Sequence, residues 1–168
     1  MAPTPDGRSY LLRDFVAGDA APVLRIFNHY VGTSFASFPE QKAEPAFIDR
    51  VAENCRAFSF KVVEAGGAVA GFGLLRPLYP FDNMHVGEVS YFIEPGFTRA
   101  GIGTELLEVL SARAKELGMR TLVATISSRN RPSLAFHRKR GFGRCGRIKD
   151  AGEKFGKCFD VVTMQKAL

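Results

Sequence analysis

The sequence has little cysteine, and the three cysteines that it has follow no paired spacing. Cys55, Cys145 and Cys158 are an odd number in a chain of 168 residues. Disulfide frameworks and zinc sites use cysteines in pairs or at short regular spacings, so we expect neither, and no metal. We expect three idle or buried thiols, and Cys158 fits a small core residue because it stands beside Phe159 in an apolar segment.

Long hydrophobic runs are also missing. No stretch reaches the roughly 20 apolar residues that a helix needs to cross a membrane. The opening residues, MAPTPDGR, contain no apolar signal core. There is no internal repeat, linker or low-complexity segment. We therefore expect one domain over residues 1–168, ordered from about 8 to about 166. We expect it to work in the cytoplasm, with no membrane partner.

Acidic residues are fewer than basic ones. There are 17 aspartates and glutamates and 23 lysines and arginines, which gives a formal charge of +6. This balance fits nucleic acid, an acidic surface or a polyanionic small molecule, and a solvated surface explains it as well. The densest basic cluster comprises Arg129, Arg131, Arg138, Lys139 and Arg140. No aromatic stacking platform is interleaved with it, so we rank nucleic acid last and expect none as a partner.

The most informative segment runs from Glu88 to Leu110. Its first part, Val89–Ile93, is β-branched and aromatic, which favours a strand, and a Pro-Gly pair ends that strand. Gly101-Ile102-Gly103 then opens a helix with an apolar face, and Gly118 is placed as its C-terminal cap. A strand, a tight turn and a helix start leave several backbone amides without partners, so the sequence predicts an anion site, and most simply a phosphate site.

Two common phosphate motifs are excluded. A dinucleotide-binding fingerprint would place a third glycine where the sequence has Leu106. A P-loop would require a Gly-Lys-Ser/Thr run, and the sequence has none.

The remaining segments predict an α+β fold with a mixed sheet in the order βααββ-βαβα-ββ. A Gly66-Gly67 pair predicts a hairpin turn. Two stretches are interpreted as loops, residues 76–85 and the charged connection 150–157. The other predicted strands cover residues 9–14, 58–64, 68–75, 121–126, 142–149 and 158–166, and the other helices cover about 20–32, 46–55 and 132–140.

Two motifs resemble the GCN5-related N-acetyltransferase (GNAT) superfamily. Residues 98–103, Thr-Arg-Ala-Gly-Ile-Gly, keep both glycines of that family's pyrophosphate loop. Thr98 stands where Gln or Arg is usual, and Arg99 is the expected substitute cation. Residues 122–142 keep the second motif, an apolar strand followed by Asn130, a short helix and Gly-Phe. In that helix His137 stands where the superfamily usually has tyrosine.

Four features narrow the resemblance to the phosphinothricin and methionine sulfoximine acetyltransferase branch. They are an early Asn-His-Tyr at residues 28–30, Glu88 at the central strand, His137 before Gly-Phe, and a tail over residues 151–161. The resemblance covers most of residues 23–165. The branch carries an arginine roughly where this chain has Pro80, and that arginine is associated with the acidic group of the substrate.

The resemblance implies the acyl-CoA N-acyltransferase fold, a mostly antiparallel mixed sheet flanked by helices. It implies acetyl-CoA as co-substrate and a small-molecule amine as acceptor, an amino acid or an analogue such as phosphinothricin or methionine sulfone. The amine would attack the acetyl group directly in a ternary complex. Dimers are common among relatives, so a homodimer is a possible assembly. A protein N-terminus or lysine as acceptor, and a non-catalytic acyl-CoA sensor, are the alternatives.

The resemblance also assigns roles to residues. Glu88 is the expected general base, directly or through water, and its alternative is a structural carboxylate paired with an arginine. His137 is the expected acid or coenzyme contact, and its alternative is a helix histidine bonded to backbone. Asn130 contacts the pantetheine arm or stabilises the turn before Pro132. The other expected coenzyme contacts are Phe92, Ile93, Thr98, Arg99, Ala100, Gly101, Ile102, Gly103, Thr104 and Ser133. The expected acceptor contacts are Tyr30, Phe35, Arg76 and His85, of which Arg76 or His85 would replace the missing arginine.

Overall fold

The computed structural model describes residues 2–3, 9–79, 81 and 83–168. Eight strands and four α-helices follow one another along the chain. The strands are β1 (Ala2–Pro3), β2 (Ser9–Asp14), β3 (Ser59–Ala65), β4 (Ala68–Pro77), β5 (Val86–Ile93), β6 (Thr121–Ser127), β7 (Gly143–Lys154) and β8 (Lys157–Ala167). The helices are α1 (Ala20–Thr33), α2 (Pro45–Cys55), α3 (Ile102–Glu116) and α4 (Arg131–Lys139), and 3₁₀ turns cover Ala17–Asp19 and Pro95–Phe97.

The strands form one mixed sheet in the order β1-β2-β3-β4-β5-β6-β8-β7. Every neighbouring pair is antiparallel except β5 and β6, which are parallel because helix α3 crosses over between them. This order and this mixed sheet confirm the predicted α+β architecture.

The two faces of the sheet carry different helices. Helices α1 and α2 cover one face, where Val23, Ile26 and Ile48 pack against Val62 and Phe72. Helices α3 and α4 cover the other face, where the core groups include Leu107, Leu110, Leu122, Ile126 and Phe142 from the centre of the sheet and Ile102 and Leu106 near β3. Side chains alternate along a strand, so each strand contributes to both cores.

The local signals for turns and helix ends are confirmed. Gly66 and Gly67 have φ of 59° and 78° in the β3–β4 turn, which is the left-handed conformation that glycine adopts without a steric cost. Gly118 and Gly141, at φ of 74° and 87°, follow the ends of α3 and α4 as predicted.

Three expectations are wrong in detail. The predicted loop at 76–85 begins later, because β4 continues through Arg76 and Pro77, opposite Glu88 and Gly87. The predicted connection at 150–157 is mostly strand, since β7 and β8 continue to a tight turn at Phe155-Gly156. Cys158 is exposed and not in the core, because Phe159, its neighbour along β8, takes the inward position instead.

Two predictions fall on residues outside the described part of the chain. These are the start of the ordered core near residue 8 and the role of Pro80. Over the described residues, no helix has the length and the apolar character needed to cross a membrane.

Candidate active site

The parallel strands β5 and β6 separate soon after they meet. They pair only from Val86 opposite Thr121 to Glu88 opposite Val123, while β6 stays paired with β8 through Ser127. Beyond Glu88, β5 remains bonded to β4 as far as Ile93. A gap therefore opens between two strands in the middle of the sheet.

Backbone amides of β5 point into this gap. The carbonyl of Val86 accepts from Leu78 N–H, and Glu94 N–H donates to Ala70 O, so even-numbered residues of this stretch turn their backbone groups toward β4. The odd-numbered Tyr91 and Ile93 therefore turn theirs toward β6, where the ladder has already ended. Amides held in this way can donate to an oxygen on which negative charge develops.

The start of helix α3 presents a second set of amides. Its N-cap, Gly101, has φ of 84°, and Thr104 N–H and Glu105 N–H both turn inward to Gly101 O. The N–H groups of Arg99, Ala100, Gly101, Ile102 and Gly103 have no hydrogen-bond partner within the described part of the chain. Free amides at a helix N-terminus, with its partial positive charge, form an anion site.

The residues that flank these amides are held in different ways. Thr98 Oγ donates to Pro95 O at 2.9 Å, so its hydroxyl closes the preceding 3₁₀ turn. Arg99 takes a left-handed φ of 64°, and its side chain is exposed. Ile102 is buried in the core, whereas Gly103 lies where a side chain would contact Ile93 and Phe136. The backbone is thus fixed while its N–H groups stay open.

A cavity of about 390 Å³ lies on the α1/α2 face of the sheet, beside the start of the gap. The inward-pointing residues of β5 that line it are Glu88, Ser90 and Phe92, which share one face by strand alternation. Its remaining wall consists of Phe27, Ala36, Ser37, Phe38, Pro39, Phe47, Ile48, Arg50, Val51, Asn54, Cys55, Phe72, Leu74, Arg76 and Thr125. The volume falls within the range of small-ligand pockets, roughly 300–1,000 Å³.

Glu88 is the acidic residue of this cavity. It is 7% exposed, and both carboxylate oxygens accept hydrogen bonds. Arg76 Nη2 donates to Oε2 at 2.6 Å, and Thr125 Oγ1 donates to Oε1 at 2.7 Å. The two partners hold a charged carboxylate in a mostly apolar wall. They also fix the direction in which its remaining lone pairs face.

His137 lies on the other face of the sheet and is 4% exposed. Its Nδ1 is 2.9 Å from Ser133 O, and its Nε2 is 2.6 Å from the hydroxyl of Tyr91. Burial lowers the pKa of His137, so the ring is neutral at pH 7. The Nδ1–H therefore donates to the carbonyl, and Nε2 accepts from Tyr91, whose own pKa is raised by burial.

Asn130 and Ser133 shape the start of helix α4. Asn130 is the N-cap, and its Oδ1 accepts from Ser133 N–H at 3.2 Å. The predicted stabilisation of the turn before Pro132 is therefore present, and the side-chain amide nitrogen of Asn130 is left for another partner. Ser133 Oγ also approaches His137 Nδ1, at 3.3 Å.

The four expected acceptor contacts are not all brought together. Arg76 lines the cavity. Tyr30 donates its hydroxyl to Ile93 O, behind the cavity wall. Phe35 packs edge-on against Phe155 and Phe159, and His85 is exposed just before β5. Neither Phe35 nor His85 lines the cavity.

The loop at residues 34–40, which forms part of the cavity wall, is held in place by a residue without a predicted role. Lys154 is 0% exposed, and its Nζ lies 2.9 Å from Ser37 O and 3.5 Å from Tyr30 O. Phe155 N–H donates to Glu40 Oε1 at 3.0 Å beside it. The tip of the β7–β8 hairpin thus anchors the loop to the body of the protein.

The sequence predicts no side-chain role for Tyr91, Thr125 or Arg50, although Thr125 and Arg50 line the cavity and Tyr91 contacts His137. The position of Thr125 follows from strand pairing, because β6 lies beside β5 at Glu88. The position of the Tyr91 side chain follows from the alternation of side chains along β5. It lies on the opposite face of the sheet from Glu88, which is the face that α4 covers. Arg50 had no sequence signal, since its position depends on how α2 packs across the sheet.

The model of the acetyltransferase (GNAT) family matches residues 23–142. The chain belongs to this family. Among curated proteins it is 30% identical to the L-methionine sulfoximine/L-methionine sulfone acetyltransferase of Pseudomonas paraeruginosa, over 92% of each chain.

Two solved structures show the same fold. A GNAT superfamily phosphinothricin acetyltransferase from Sinorhizobium meliloti in complex with acetyl-CoA superposes with a TM-score of 0.88 at 29% identity, over 95% of this chain and 88% of that one. A ribosomal-protein-alanine N-acetyltransferase from Brucella melitensis superposes with a TM-score of 0.87 at 33% identity, over 94% and 99%. The predictions of family, branch, acyl-CoA N-acyltransferase fold and enzyme class, an N-acetyltransferase, are confirmed.

Proposed function

We propose that this enzyme transfers the acetyl group of acetyl-CoA to the amine of an amino acid or a close analogue. The observation that carries the proposal is the separation of β5 from β6 directly after Glu88, beside a cavity of small-ligand size. Relatives named for methionine sulfone and phosphinothricin support an acceptor of this size.

The coenzyme would be held by backbone at two points. The pyrophosphate accepts from the free amides at 99–103, and the exposed Arg99 adds a positive charge beside it. The thioester lies in the gap, where the amides of Tyr91 or Ile93 donate to its carbonyl oxygen. Binding both substrates in one complex supplies much of the rate, because it removes the entropy cost of their meeting.

Glu88 accepts the proton of the acceptor amine, directly or through a water molecule. The amine nitrogen bonds to the acetyl carbon, its proton passes to the carboxylate, and the carbon–sulfur bond breaks. An α-amino group has a pKa of about 8, so a carboxylate suffices near neutral pH. Thr125 and Arg76 keep the carboxylate oriented toward the cavity.

The departing thiolate takes a proton on the other side of the gap. His137 is neutral, and its only N–H is engaged by Ser133 O, so the ring itself has no free proton to give. Tyr91 keeps its proton because burial raises its pKa, and it stands on the strand that borders the gap. At rest the Tyr91 hydroxyl donates to His137 Nε2, so we assign the proton to Tyr91 after its O–H turns from His137 to the thiolate, and the positioning of the hydroxyl to His137.

A second acceptor class, the N-terminus of a protein, is favoured by the resemblance to the ribosomal-protein-alanine N-acetyltransferase. A peptide acceptor needs an extended groove, whereas this cavity has the volume of a small ligand and is walled by helix α2 and the anchored loop 34–40. The small acceptor is therefore the better fit.

We also propose a cytoplasmic location and a homodimer. Cys145 and Cys158 are exposed free thiols, which is typical of a reducing compartment. Exposed apolar side chains such as Ile148, at 63%, supply surface for a second copy. Light scattering of the purified protein measures the assembly.

The test of function is thiol release from acetyl-CoA with an acceptor panel. The panel contains free amino acids, methionine sulfone, phosphinothricin and an alanine-initiated peptide of ten residues. We expect release with amino acids or their analogues and little with the peptide. Turnover of the peptide alone would replace the small acceptor with a protein, and coenzyme binding without release on any acceptor would indicate a sensor.

A further inference from the structure

Among the charged residues that line the acceptor cavity, positive charges outnumber negative ones. These charged residues are Arg50, Arg76 and Glu88. Arg76 and Glu88 form an ion pair at 2.6 Å, which neutralises one cation with the one carboxylate. One positive charge, that of Arg50, is left over in a wall that is otherwise polar or apolar.

Arg50 is presented to the cavity by the periodicity of helix α2. Phe47, Val51 and Asn54 line the same cavity at spacings of three and four residues, so Arg50 lies on the inward edge of the helix. Arg50 is also exposed to solvent, and its guanidinium has no hydrogen bond or ion pair with any residue in the described ranges 2–3, 9–79, 81 and 83–168. The guanidinium of Arg50 can therefore donate hydrogen bonds to a ligand in the cavity.

We infer that Arg50 binds the carboxylate of the acceptor, an inference that rests on the proposed function. A guanidinium matches a carboxylate through two parallel hydrogen bonds, which positions the α-amine as well as binding it. Arg76 is occupied by Glu88 and His85 does not line the cavity, so Arg50 is the unpaired cation among the described lining residues.

The rest of the wall defines the acceptor's side chain. Five phenylalanines line the cavity together with Ile48, Val51 and Leu74, and no second unpaired cation accompanies them. These five are Phe27, Phe38, Phe47, Phe72 and Phe92. Burying a second negative charge against this wall is costly, whereas an apolar side chain is stabilised there. The acceptor class is a free α-amino acid with an uncharged, largely apolar side chain, such as methionine or phenylalanine.

The test compares L-methionine with L-methioninamide, which keeps the amine and the side chain but lacks the carboxylate. Arg50→Met should lower kcat/KM for methionine by about 10- to 100-fold, the value of a charge-assisted pair, and change that for the amide by less than about threefold. Arg50→Lys should recover part of the loss. Arg56→Met is the matched control, because Arg56 ends the same helix, is exposed, and pairs with Glu53 outside this cavity.

The outcomes separate this inference from the proposed function. Suppose that the wild-type enzyme acetylates methionine. If Arg50→Met then lowers kcat/KM for methionine and for methioninamide by the same factor, Arg50 does not bind the carboxylate. The same conclusion follows if Arg50→Met lowers kcat/KM for methionine no more than Arg56→Met does. If phosphinothricin exceeds methionine in kcat/KM, the apolar wall does not set the preference. If the wild-type enzyme binds coenzyme but acetylates no amino acid, the proposed function fails and this inference fails with it.

Discussion

Glu88 and His137 lie on opposite faces of the central sheet, Glu88 toward α1 and α2 and His137 beneath α4. They do not form one cluster. What connects them is strand β5, which carries Glu88 on one face and Tyr91, the partner of His137, on the other. The gap between β5 and β6 lies between the two groups, so proton removal and proton delivery are assigned to opposite sides of the reacting thioester.

The first prediction concerns Glu88. Replacing it with glutamine keeps its size but removes the proton acceptor, so kcat should fall by about 10²- to 10⁴-fold. The affinity for acetyl-CoA, measured by titration calorimetry, should change little, because the proposed coenzyme contacts lie at 98–104. Glu94→Gln is the matched control at the end of the same strand, where the carboxylate pairs with Arg25. An unchanged kcat in Glu88→Gln would remove this residue from the reaction.

The second prediction concerns Gly101. An alanine at φ of 84° is strained by about 1–2 kcal/mol, and relaxing that strain moves the free amides of the loop. We expect weaker coenzyme binding, read as a higher Kd for acetyl-CoA. Gly96→Ala is the control, since its φ is ordinary and no atom lies within 4 Å of the added carbon. Equal Kd values for the two variants would show that this turn does not shape the coenzyme site.

The third prediction concerns stability in mild acid. Burial lowers the pKa of His137 below the value of about 6.5 that it has in the unfolded chain. As pH falls below about 6.5, the unfolded chain takes up a proton that the folded protein does not, so the free energy of unfolding falls. The slope is at most about 1.4 kcal/mol per pH unit.

Urea unfolding between pH 7.5 and pH 5 measures this slope. His137→Gln should flatten it, whereas His29→Gln, at an exposed position on α1, should leave it in place. Asp19 and Asp160 have lowered pKa values, so their protonation reduces the free energy of unfolding only at lower pH, below about pH 4. An undiminished slope in His137→Gln would mean that another group is responsible.

The fourth prediction concerns Lys154, which anchors the loop that forms part of the cavity wall. Lys154→Met keeps much of the side-chain volume but removes the donors to Ser37 and Tyr30. The loosened loop should raise KM for the acceptor by about 10-fold, with the Kd for coenzyme within about twofold. Lys157→Met, at an exposed position of the same hairpin, is the control. A rise in the coenzyme Kd instead would mean that the anchor supports a different part of the site.

Much of the fold could be predicted because its signals are local. Gly66-Gly67, Gly101, Gly118 and Gly141 mark turns and helix ends that depend on only a few neighbouring residues. The end of β7 could not be predicted in this way. Charged residues at 150–157 favour a loop, but pairing with β8 keeps them in the strand as far as Lys154.

Structural features of the candidate site could be predicted where they depend on one segment, and could not where they depend on packing. The free amides at 99–103 follow from a strand, a turn and a helix start in sequence. The position of Arg50 in the cavity wall depends on how α2 packs across β3 and β4, and the burial of Lys154 depends on a hairpin meeting the end of α1. No pattern within those segments encodes either contact.

The most direct test of the account is a crystal structure of the enzyme with acetyl-CoA bound. We predict pyrophosphate oxygens about 3 Å from amide nitrogens among residues 99–103, and the thioester in the gap between β5 and β6 beside the cavity of Glu88. A pyrophosphate bound elsewhere, or a thioester remote from that gap, would contradict the account.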